Sequence, residues 1–144
     1  MSTPFIMHSP DYGDGFEYVE DNKGWCPVYV EISRAVYCVY VYNTWRINAD
    51  INHDLESHSC FYLNAECDEQ HTIVVKKITR EAVDDAINYL YNNTNFFLHA
   101  RRWSKKELLD TDERWKHYPE KIAFSSCFSP EVWNEILEAA SCEI

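Results

Sequence analysis

Along the first half of the chain apolar and polar positions alternate with a period of two, and along the second half they recur every three or four residues. "GFEYVE", residues 15–20, sets Phe16, Tyr18 and Glu20 on one side and Glu17 and Val19 on the other, the pattern of a half-buried strand. "DNKG" follows, with Gly24 free to take the left-handed position of a short hairpin loop, and "WCPVYVEI" (25–32) returns as a second strand. Pro27 has no N–H to give to a ladder, so the start of that strand is expected at a sheet edge. "AVYCVYVYNTWRI" (35–47) carries the strongest strand signal, being dense in β-branched and aromatic residues. Tyr37, Val39 and Val41 share one of its faces and Val36, Cys38, Tyr40 and Tyr42 the other, which predicts a strand covered on both sides. "SRA" (33–35) is short enough for a turn or for a bend within one strand, and "NADINHDLES" (48–57) reads as a loop. "CFYLN" (60–64) and "HTIVVKKI" (71–78) are further strand candidates joined by the acidic "AECDEQ".

The period then changes. In "TREAVDDAINYLYNN" (79–93) Thr79 is a ready N-cap, and Val83, Ala86, Ile87, Leu90 and Tyr91 form one apolar stripe, which predicts a helix packed on the sheet. "NFFLHA" (95–100) is a short strand candidate. "SKKE" (104–107) is a capping box that opens a second helix through Leu108 and Leu109; "DTDE" (110–113) offers a second start, which leaves its extent open, and Pro119 ends it. In "SPEVWNEILEAA" (129–140) Ser129 caps a third helix, Pro130 sits where its missing N–H costs nothing, and Val132, Trp133, Ile136, Leu137 and Ala140 make the stripe. The expected fold is a single α+β domain spanning 1–144. An antiparallel sheet of about five strands, mostly from the first half, packs with three helices from the second half.

Composition changes this picture in one respect, charge. The chain of 144 residues has a formal net charge of −11, and 46% of its residues are hydrophobic, ample for a buried core. Residues 1–72 hold 12 acidic side chains against 3 basic ones (Lys23, Arg34, Arg46), whereas residues 73–144 hold 12 against 10. Such a balance disfavours nucleic acid and anionic membrane as direct partners and suits a basic protein. The six cysteines, Cys26, Cys38, Cys60, Cys67, Cys127 and Cys142, have no secretion signal ahead of them in "MSTPFIMHSP". Cys38 lies in the apolar run "VYCVYV", where a buried thiol is expected, so a reducing cytoplasm is the expected compartment.

Chemistry is thinly represented. Gly13, Gly15 and Gly24 are the only glycines, and 120 residues follow the last of them. Phosphate-cradling loops, dinucleotide turns and nucleophile elbows need glycine where backbone approaches ligand, so nucleotide kinases, Rossmann dehydrogenases and α/β-hydrolases are excluded. "HDLESHSCFYLNAECDEQH" (53–71) collects histidine and cysteine, and His58, Cys60, Cys67 and His71 would close a tetrahedral zinc site. No C-x₂₋₄-C pair supports it. "DINHDLE" from Asp50 spaces oxygens as a calcium loop does, but Leu55 stands at the glycine position and Phe61 at the bidentate glutamate. Cys60 with His71, or Cys127 with His99, are formal Cys–His pairs, but six cysteines and six histidines make such pairings easy to find by coincidence. Catalysis is therefore not expected. "HARRWSKK" (99–106) is the one basic stretch, and Arg101, Arg102, Lys105 and Lys106 around Trp103 would suit a stacked base and its phosphate were the chain less acidic.

The expectation that remains is a small acidic cytoplasmic binding protein or inhibitor. It would cover a basic surface on a partner protein, of the sort that itself holds nucleic acid, as counter-defence proteins (anti-restriction or anti-CRISPR-like nucleic-acid mimics) and toxin-immunity proteins do. The candidate contacts are Asp11, Asp14, Glu17, Glu20, Asp21, Glu66, Asp68 and Glu69, with an exposed row of Tyr29, Tyr40 and Tyr42 beside them. No cofactor is expected on this reading. The alternative is a metal-dependent enzyme or zinc-stabilised module on residues 53–71.

Overall fold

The longest ladder joins β2 (Trp25–Ile32) to β3 (Ala35–Asn43), antiparallel from Trp25↔Tyr42 to Ile32↔Ala35. The computed structural model describes residues 4–7, 15–58, 71–118 and 121–141. Ser33 and Arg34 turn the hairpin with φ of 51° and 71°, the primed geometry that matches strand twist and that glycine or asparagine adopts more cheaply. Two bonds hold this turn: the Arg34 N–H donates to Glu31 Oε2 (2.7 Å), and Arg34 Nε donates to Glu135 Oε2 (2.6 Å). β1 (Phe5–Met7) flanks β2 antiparallel, and β4 (His71–Val75) flanks β3 parallel, giving the order β1-β2-β3-β4. β1 reaches only Tyr29–Glu31, so Pro27 lies where β2 has a described neighbour on one side only.

The fold is α+β, but several expectations need correction. The sheet is mixed and has four strands among the described residues rather than five antiparallel ones. Parallel pairing of β3 with β4 requires a long crossover, and the segment between them supplies α2 (Thr44–His58), where a strand end and a loop were expected. The helix starts there because Asn43 Oδ1 accepts the Arg46 N–H (2.9 Å), and Arg46 pairs with Asp50 one turn on (3.1 Å). Residues 15–20 are not a strand: α1 (Gly15–Tyr18) runs into a π-type turn over Val19–Lys23, closed by the Gly24 N–H on Val19 O (2.6 Å). Phe96–His99 forms the single turn α4 instead of a strand, entered through a bond from the Phe96 N–H to Thr94 Oγ1 (3.1 Å). Among the described residues six helices accordingly replace the expected three. The strand expected at 60–64 lies outside the described residues.

The three long helices of the second half form where their caps place them. Thr79 accepts the Ala82 N–H at the head of α3 (Arg80–Asn93), and Ser104 and Glu107 complete a reciprocal capping box on α5 (Lys105–Lys116). Ser129 Oγ accepts the Val132 N–H on α6 (Pro130–Ser141). α5 runs unbroken through Asp110–Glu113, because Asp112 turns inward and accepts the Ser125 N–H (2.8 Å).

Both faces of the sheet are packed, as the alternation in β3 implies. One face (Val28, Val30, Val39, Val41, Ile73) meets Val19, Ile78, α3 through Val83 and Ile87, and α4 through Phe97. The other (Met7, Tyr29, Val36, Cys38) meets Trp103, Leu108, Trp115, Ile136 and Phe124, the last from a 3₁₀ turn over Phe124–Cys127. Burial raises the Cys38 thiol to about 12 and lifts the Tyr29 phenol as well, so neither ionises near neutrality. No helix of the described residues is long and apolar enough to cross a membrane.

Candidate interaction surface

Period-two geometry brings the strand aromatics into rows that cross the sheet. Trp25, Tyr42 and Val74 are register partners on β2, β3 and β4, and so are Pro27, Tyr40 and Thr72 in the next row. None of these six side chains is buried, and Val74 is 50% exposed. In the following row lie Met7, Tyr29 and Cys38, all deep in the core. Tyr29 is 6% exposed, with Trp103, Phe124 and Trp115 edge-on to it at centroid distances of 5.0, 5.0 and 5.2 Å. It is therefore no part of a contact surface, contrary to expectation, whereas Tyr40 and Tyr42 are half-buried. The helices that bury Tyr29 come from far along the chain, which the local alternation cannot register.

Trp25, absent from the expected contacts, is the ring that Tyr40 and Tyr42 hold. Tyr40 meets it edge-on (5.8 Å, 80°) and Tyr42 nearly parallel (6.1 Å, 22°). The signal was present, since Trp25 alternates with Pro27 and Tyr29 and so must share their face. Lys23 Nζ stands 5.9 Å from the centre of the Trp25 ring, within cation–π range.

The adjoining turn carries the acids. The Glu17 and Asp21 side chains are exposed and make no hydrogen bond or ion pair among the described residues. Glu20, by contrast, faces inward. Its Oε1 accepts the Asn43 side-chain amide (2.9 Å) and the Ile78 N–H (2.6 Å), and its carbonyl oxygen accepts Trp45 Nε1 (3.0 Å). The same turn receives Arg46 Nη1 on the Lys23 carbonyl (3.0 Å). A Cβ on Gly24, whose φ is +76°, would stand 2.5 Å from Arg46 Cβ, so the turn and the head of α2 fit only with glycine there. Glu20 thus welds the turn, α2 and the approach to α3, and the surface acids of this region are Glu17 and Asp21. Asp11, Asp14, Glu66, Asp68 and Glu69 lie outside the described residues.

The cations of the first half are all engaged within the chain. Arg34 bonds Glu135 and approaches Glu31 (3.9 Å), Arg46 pairs with Asp50, and Lys23 lies over Trp25. On α2, Asp54 and Glu56 have no cationic partner among the described residues.

The first part of the basic stretch, Arg101–Trp103, is committed to the fold. Trp103 is 8% exposed and packed in the core, so no base can stack on it. Arg101 grips Glu107 through two bonds of 2.7 Å, which hold the Glu107 carboxyl down at about 2, and Arg102 bridges its backbone to Tyr37. Lys105 and Lys106 remain exposed on α5. Of the zinc candidates, Cys60 and Cys67 and the side chains of His58 and His71 lie outside the described residues. Among the described residues no three histidine, cysteine or acidic side chains converge on a point suited to a metal ion. No family model, curated protein or solved structure matches this chain, so its functional reading rests on its own residues.

Proposed function

We propose that the protein is an acidic binding protein that covers a cationic surface of a partner protein. The observation that supports this reading is the asymmetric disposition of charge. Lys23, Arg34 and Arg46 are each engaged by the chain's own aromatic or acidic groups, while Glu17, Asp21, Asp54 and Glu56 have no such cation among the described residues. A net charge of −11 then acts over a Debye length of roughly 10 Å, steering a basic macromolecule toward the surface. Half-buried Trp25, Tyr40 and Tyr42 supply the aromatic contact area that protein interfaces favour. A partner surface that ordinarily holds nucleic-acid phosphate has the complementary charge, and occupying it would make the protein an inhibitor of the counter-defence or toxin-immunity kind.

The test is affinity capture of the full chain from the cells that express it, with the retained protein identified and then purified. The expected partner has a basic surface, and its capture is lost in the double variant Glu17→Lys/Asp21→Lys, which keeps the fold because both side chains are exposed. Undiminished capture by that variant would refute the reading. The zinc alternative at His58, Cys60, Cys67 and His71 is decided separately, by elemental analysis of the purified protein.

A further inference from the structure

The Trp25 ring is the most prepared feature of the proposed contact surface. Tyr40 and Tyr42 fix it edge-on and face-on, it stays half-buried on the sheet, and it joins neither core cluster. A ring held in this way meets a ligand with little further loss of rotamer freedom. Its face already attracts a cation, since the Lys23 ammonium lies 5.9 Å from its centre. Lys23 belongs to the same turn as the exposed Asp21 and stands two residues before Trp25, so the ring and that acid lie four residues apart in the chain.

We propose that the Trp25 ring, held by Tyr40 and Tyr42, receives an arginine side chain of the cationic partner, and that Lys23 holds this place in the free protein. The inference rests on the acidic-binding reading above and names the group that the partner inserts. Arginine fits better than lysine because its guanidinium is planar, weakly hydrated and able to lie flat on an aromatic face while donating to neighbouring carboxylates. Lys23 is tethered two residues from the ring and cannot stack in that way, so it yields to a guanidinium.

The experiment uses two labelled peptides, one of alternating glycine and arginine and one of alternating glycine and lysine, titrated with the full-length protein at low ionic strength. Fluorescence anisotropy reads affinity, and the Trp25 indole resonance reads the contact. The arginine peptide should bind the more tightly and shift that resonance. Trp25→Leu should weaken it by roughly two- to fivefold and leave the lysine peptide almost unchanged. Lys23→Ala should tighten the arginine peptide by a similar factor, and by more than Lys106→Ala, which removes the same charge from an exposed site on α5. Lys23→Ala leaves the strand aromatics in place, so it remains informative if Trp25→Leu disturbs the sheet. Equal affinity of the two peptides, or equal effects of the two lysine variants, would overturn the proposal. So would a dimer in sedimentation that Trp25→Leu abolishes, because the face would then belong to a second copy of the chain. If Glu17→Lys/Asp21→Lys weakens arginine-peptide binding and Trp25→Leu does not, the inference fails and the acidic reading stands. The opposite pattern retains the ring and removes the acids. If neither peptide binds, the inference fails, and the acidic reading answers to the affinity capture alone.

Discussion

One face of one sheet is used in two ways. Around Tyr29 the face is sealed: Trp103, Trp115 and Phe124 meet edge to face within 5.2 Å of its ring centre, and the phenol and the Cys38 thiol are held neutral by burial. Two rows away, around Trp25, residues of the same type on the same strands are half-buried and lie beside the acidic turn. Residue type does not separate the two regions. What separates them is whether α5, α6 and the 3₁₀ turn reach that part of the face. Aromatic density in a strand therefore marks both core and surface, and only the distant helices decide which.

That contrast yields a graded set of expectations. Phe124 is 1% exposed and central to the sealed region, so Phe124→Ala should cost about 3–5 kcal/mol in urea unfolding. Trp25→Ala should cost well under half of that, about 1 kcal/mol, because half-buried area is lost without a closed cavity. Equal costs would break the distinction between the two regions. Glu20→Ala should cost about 2 kcal/mol by the same measurement, since the Asn43 side chain, 0% exposed, and the Ile78 N–H lose their acceptor. A loss as small as that of Glu17→Ala would show that Glu20 does not anchor the turn.

Acid sharpens the comparison from the sealed side. Arg101 holds the Glu107 carboxyl at about 2, below its ordinary 4.5, so the pair's contribution is fully present above pH 4.5 and fades as the pH falls toward 2. The stability difference between wild type and Arg101→Ala should accordingly shrink between neutrality and about pH 3. A difference that holds constant over that range would mean the ion pair adds nothing beyond packing. The smallest effect belongs to the hairpin turn, where Ser33→Asn places a residue tolerant of positive φ at 51° and should raise stability by about 0.5 kcal/mol.

Much of the architecture is legible from local signals. Thr79, Ser104 with Glu107, and Ser129 with Pro130 mark helix starts that the structure reproduces, and the alternation in 36–41 puts Val36, Cys38 and Tyr40 on one face and Tyr37, Val39 and Val41 on the other, as the structure has them. The misread elements depend on partners far away in sequence. Phe16–Glu20 alternates like a strand, yet Glu20 is bound by Asn43 and Ile78, which curl it into a turn. Asn43 ends a strand and caps α2 in the same residue, so the helix start is hidden at the close of an apolar run. The parallel register of β4 is a long-range choice that its five residues do not encode. Among the candidate contacts, Glu17 and Asp21 are exposed and Glu20 and Tyr29 are drawn inward, while Trp25, whose face the alternation with Pro27 and Tyr29 already gave, is joined to Tyr40 and Tyr42 by the strand register.

The central claim is that negative charge on the first half of the chain is read by a cationic protein. Its most direct test is the affinity of the purified partner measured across a series of ionic strengths, for wild type and for Glu17→Lys/Asp21→Lys. The account predicts that wild-type affinity falls steeply as salt rises, through slower association, and that the double variant binds weakly with a shallower salt dependence. Affinity indifferent to salt, or identical for the two proteins, would contradict it.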